Sequence, residues 1–103
     1  MNVRLGEAAI RFRISVDELA CLLSGRALHE TVAVGVHHIH LSIQVEAGSS
    51  LLRCVIKGDD IILYISANDC ELLNTKRSKQ GVGTRGGATE IAIQVDLKSY
   101  KAG

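Results

Sequence analysis

The sequence predicts an α+β domain: a mainly antiparallel, curved sheet or partly closed barrel of six or seven strands, with two short helices. Three observations lead there. Apolar and polar residues alternate with period two in several separate runs, the mark of half-buried strands. Ser15 to Gly25 has the start, stripe and stop of a helix, and Asn68 to Asn74 has a shorter version. The apolar content is aliphatic, with Phe12, Tyr64 and Tyr100 the whole aromatic complement. Branched aliphatics pack well on a pleated surface.

The chain opens on a hairpin. Val3 and Leu5 alternate with Asn2 and Arg4, then Ile10, Phe12 and Ile14 with Arg11 and Arg13, and Gly6 to Ala9 supply the turn. Alternation puts Arg4, Arg11 and Arg13 on the face away from the core. Ser15-Val16-Asp17-Glu18 reads as a capping box. Val16, Leu19, Ala20 and Leu23 form one helical stripe, and Gly25 ends it as a left-handed residue. Residues 29–34 read as a strand, Gly35 as a turn, and Val36 to Val45 as a longer strand with Ile39, Leu41, Ile43 and Val45 on one face. After a loop at Ala47 to Ser50, Leu52 to Lys57 and Ile61 to Ile65 flank the tight turn Gly58-Asp59-Asp60. The second helix takes Asn68 as its cap. Lys76 to Gly87 reads as a glycine-rich basic loop, and Ile91 to Leu97 as the last strand before a loose tail. No internal repeat, proline or linker is visible.

The 103 residues form one domain, 1–103, and the net charge of +1 gives no whole-chain argument for nucleic acid or acidic membranes. Weak mutual repulsion leaves a homodimer open. Cys21, Cys54 and Cys70 are odd in number and lack metal-site spacing, so they read as reduced, partly buried thiols. No apolar run is longer than Ile61 to Ile65, which falls far short of the ~20 residues of a membrane span. The expected location is the cytoplasm.

Val3-Arg4-Leu5-Gly6, Ile10-Arg11-Phe12-Arg13-Ile14-Ser15, the capped helix and His29-Glu30-Thr31-Val32-Ala33-Val34-Gly35 resemble a family of small uncharacterised bacterial proteins. The likeness continues through Gly58 to Ile65 and the short helix. It departs at 76–87, where that family has a compact link. The resemblance implies a single small domain and no assigned activity.

Gly81-Val82-Gly83-Thr84-Arg85-Gly86 matches a dinucleotide fingerprint in letters only, because no strand precedes it and a strand rather than a helix follows. The same segment carries Lys76, Arg77, Lys79 and Arg85 with no acid among them. Glycine-rich backbone presents bare amides to anions, so these four residues are candidate anion contacts. His38 and His40 share a strand face and could hold Zn²⁺, Cu²⁺ or Ni²⁺ if His29 or Glu30 completed the set. His37 falls on the other face with Ile39 and is expected to be partly buried. No nucleophile elbow or aligned triad is present, and Asp59-Asp60 reads as turn chemistry. No cofactor is expected.

The reading that follows is a non-enzymatic binding or interaction module, whose partner would be a protein or an anionic ligand. The alternative is an anion- or nucleic-acid-binding protein using 76–87, joined by Arg4, Arg11 and Arg13. Metal binding through His38 and His40 comes third.

Overall fold

The computed structural model describes residues 1–47, 51–75, 82–84 and 90–96. The elements run β1 (Asn2–Leu5), β2 (Ala9–Ile14), α1 (Val16–Leu23), β3 (Leu28–Val34), β4 (His37–Glu46), β5 (Arg53–Lys57), β6 (Asp60–Ser66), α2 (Ala67–Thr75), β7 (Val82–Thr84) and β8 (Glu90–Val95). The α+β class and both helices stand as expected. The single curved sheet or partly closed barrel does not. The strands form two four-stranded sheets, β1-β2-β8-β7 and β3-β4-β6-β5. Hairpins are local and legible in the alternation. Which hairpin joins which sheet depends on contacts across the chain, and alternation carries no information about that.

Each sheet is two antiparallel hairpins joined by a central parallel pair, β2 with β8 and β4 with β6. Gly35 and Gly58 take positive φ at the first position of the two-residue turns β3–β4 and β5–β6, a conformation glycine adopts without a Cβ penalty. The capping box forms as expected: Ser15 Oγ accepts from the Glu18 N–H at 3.1 Å, and the Glu18 carboxylate accepts from the Ser15 N–H at 2.9 Å. At the other end, the Arg26 N–H reaches the Cys21 carbonyl and the Gly25 N–H the Leu22 carbonyl, with Gly25 left-handed. The second helix starts earlier than its sequence suggests. Ser66, not Asn68, caps it, accepting from the Asp69 N–H at 3.0 Å.

The element order is a duplication, contrary to the expectation of no internal repeat. The pattern β-β-α-β-β occurs twice, as β1-β2-α1-β3-β4 and β5-β6-α2-β7-β8. The shift that carries Ser15 to Ser66 also carries Phe12 to Leu63, Ile14 to Ile65, Leu19 to Cys70 and Leu22 to Leu73, all buried. Strand register follows the same symmetry: Phe12 pairs with Ile93 as Leu63 pairs with Ile43, and all four side chains are fully buried. Each sheet takes one hairpin from each half. The repeat is hidden in sequence because a core position needs only apolar volume, not identity. Both sheets and both helices contribute to one core cluster. Burying each such side chain contributes about 1.5–3 kcal/mol.

Candidate anion-binding face

The first sheet turns Phe12, Ile14, Ile93 and Val95 inward. Alternation then places Arg4 of β1, Arg11 and Arg13 of β2, and Ala92 and Gln94 of β8 on the outer face. The arginines lie outward as the sequence predicts, and the register adds what the sequence left open. Arg4 sits directly opposite Arg11, Asn2 opposite Arg13, and Gln94 beside Arg13. Directly paired residues on one face have Cβ atoms about 4.5–5.5 Å apart. The two guanidinium stems therefore rise side by side. A shallow cleft of about 280 Å³ runs over them, lined by Asn2, Val3, Arg4, Arg11, Phe12, Arg13 and Gln94.

Like charges directly opposite each other destabilise a sheet, on a scale of roughly 0.2–1 kcal/mol. Among the described residues, no carboxylate relieves Arg4 or Arg11: neither makes an ion pair or hydrogen bond. Arg13 and Gln94 are each already engaged.

The duplicated fold supplies a comparison within the same chain. On the outer face of the second sheet, Val55 stands where Arg4 stands, Ile62 where Arg11 stands and Tyr64 where Arg13 stands, in the same register. Gln44 beside Tyr64 matches Gln94 beside Arg13. There the cation Arg53 is neutralised, with its guanidinium 2.7 Å from Glu46 and 4.1 Å from the Tyr64 ring centroid. The scaffold accepts apolar residues at these positions, so the arginines are not a requirement of the fold.

The histidines lie on the second sheet. His38 and His40 share the outer face as expected. His40 Nδ1 is 3.1 Å from Thr31 Oγ1, and His40 pairs with Asp60 across the parallel register. His29 lies on the same face opposite Ser42, beside a cleft of about 260 Å³ that also touches Thr31, His40 and Asp60. Glu30 points to the other face, with its carboxylate 3.9 Å from the Met1 ammonium. Among the described residues, no three His, Cys, Asp or Glu side chains gather where they could hold a metal ion. His37 is exposed rather than partly buried, because the β3–β4 hairpin runs out past the core.

Two of the three thiols, Cys54 and Cys70, are poor nucleophiles. Burial, with Asp69 and Glu71 adding to it, pushes the Cys70 thiol up to about 11, and burial also raises Cys54. Both are held further from the reactive thiolate than an ordinary cysteine. Lys76, Arg77, Lys79 and Arg85 lie outside the described residues. Val82 to Thr84 of the glycine-rich segment form β7, which confirms that Gly83 does not open a helix as a dinucleotide site requires.

Fold and face together give a two-sheet α+β structure in which, among the described residues, Arg4 and Arg11 stand side by side without an ion pair. The chain belongs to DUF7009, a family of unknown function, which matches residues 1–100. This agrees with the expected membership of an uncharacterised family and brings no reaction with it. No curated protein and no solved structure matches the chain. Among the described residues, no helix is long and apolar enough to cross a membrane.

Proposed function

We propose that the protein is a non-enzymatic binding module that recognises an anion on the outer face of its first sheet. The observation that carries this reading is the direct opposition of Arg4 and Arg11 without a counter-charge among the described residues, at positions where the other sheet carries Val55 and Ile62. Guanidinium presents a planar fork of donors that matches carboxylate and phosphate oxygens. An arriving anion would gain those bonds and relieve the repulsion. The segment 76–87 supports the same reading, because it leads into and out of β7, an edge strand of this sheet. Lys76, Arg77, Lys79 and Arg85 would then add long-range attraction for an anion.

The test compares the melting temperature in sodium phosphate and sodium chloride at equal ionic strength. Phosphate stabilises most proteins by being excluded from their surface. That general effect acts equally on wild type and on an Arg4→Gln, Arg11→Gln double variant. The site's own contribution is the difference between them, and the wild type should gain more. Equal gains would remove the anion reading.

A second reading, self-association into a homodimer, is favoured by the edge strand β3. It ends the second sheet without a proline. Val32, Val34 and Val36 leave 40%, 53% and 90% of their surface exposed. An open apolar edge is a template for pairing with another chain.

A further inference from the structure

We infer that the arginine face takes a compact, multiply charged oxyanion of the diphosphate type, rather than a phosphate polymer. The inference rests on the anion reading above and narrows it. Three features of the face carry it: how many donors converge, what surrounds them, and where the positive charge stops.

Arg4 and Arg11 are adjacent across the β1–β2 ladder. Arg13 is the next outward residue on β2, roughly 6.5–7 Å along the strand from the rise per residue. The three cations therefore form a triangle, not a row. The Arg4 and Arg11 forks can each engage a pair of oxygens, while Arg13 already has a partner and adds its charge. Two neighbouring forks ask for more oxygens than one carboxylate offers, and a diphosphate presents terminal oxygens on both phosphorus atoms. The cleft of about 280 Å³ suits a compact group. Asn2 and Gln94 at its Arg13 end add polar groups, and Val3 and Phe12 also border it. The charged group itself would supply the binding strength through Arg4 and Arg11.

A nucleic-acid strand would need more. Non-specific single-strand sites combine a charged track with aromatic side chains on which bases stack. Among the described outward residues of β1, β2 and β8, none is aromatic. Among the described residues, the positive patch also ends at β8. β8 contributes Ala92 and Gln94 beside the arginines, and its outward residue at the far end is the acid Glu90. Among the described residues, no further cation continues the patch along this sheet.

The experiment is calorimetric titration of the full chain at low salt with inorganic pyrophosphate, inorganic phosphate and a single-stranded oligonucleotide. Pyrophosphate should bind one to one and about tenfold or more tighter than phosphate, as expected from an added charge-assisted contact. Arg4→Gln or Arg11→Gln should each weaken pyrophosphate by about tenfold or more. Arg53→Gln, on the other sheet, should leave it unchanged. Circular dichroism of each variant confirms the fold. An oligonucleotide that binds more tightly than pyrophosphate and depends on Arg4 and Arg11 would overturn the ligand class while leaving the anion face in place. Oligonucleotide binding that survives both arginine changes and is lost when Lys76, Arg77, Lys79 and Arg85 become alanine would move the contact to that segment. No binding of any of the three would overturn the ligand class and the anion reading together.

Discussion

Ser66 does for α2 what Ser15 does for α1: its hydroxyl accepts a first-turn amide that would otherwise lack a partner. Replacing either by alanine should therefore lower stability by about 0.5–2 kcal/mol. Urea midpoints measure this, provided that the slope is unchanged; an unaltered midpoint for Ser66→Ala would mean that the hydroxyl is not the cap. Ser15 was legible because Glu18 completes the box. Ser66 was not, because it is also the last residue of β6, and Asn68 two positions on offers a competing cap signal. The arginines follow the same division. Alternation alone shows that Arg4, Arg11 and Arg13 face outward. Their direct opposition depends on hairpin register, which the turn at Gly6 to Ala9 leaves open in the sequence and the ladder Leu5 to Ile10 fixes.

Hairpins and the capped helix were legible at the level of elements because each is specified by neighbours in sequence. β7 was not: Val82 to Thr84 sit among glycines and cations, and a three-residue strand shows too little alternation to separate from a loop. The β3–β4 hairpin carries a consequence of its own. Six of the seven residues of β3 are exposed, since the strand extends beyond the core along an open edge. If that edge pairs with a second copy, sedimentation should show wild type shifting from monomer to dimer as concentration rises. Val34→Lys places a charge on the edge, a device that blocks strand pairing, and should hold the protein monomeric with unchanged circular dichroism. Monomeric wild type throughout the series would remove the homodimer.

Across the whole molecule, the duplicated halves are interleaved rather than side by side. β2 of the first half pairs with β8 of the second, and β4 with β6. Neither half can complete a sheet alone, so unfolding should be one cooperative transition. Phe12→Ala should cost about 3–5 kcal/mol and Leu63→Ala about 2–5 kcal/mol, and each, in a Tyr100→Phe background that leaves Tyr64 as the sole tyrosine, should lower a single melt followed both by far-UV circular dichroism and by Tyr64 fluorescence. A Leu63→Ala melt in which Tyr64 in the second sheet loses its signal before the rest of the chain would show that the sheets separate. Nothing in the sequence announced this interleaving, because symmetry preserved burial and register while the residues diverged.

The same symmetry turns the second sheet into a control for the first. The most direct test of the anion face is a backbone amide NMR titration of the full chain with inorganic pyrophosphate at low salt. Perturbations should concentrate on Arg4, Arg11, Arg13 and Gln94, leaving Val55, Ile62, Tyr64 and Gln44 at the equivalent positions unmoved. Shifts of equal size on both sheets, or none on the first, would contradict the account.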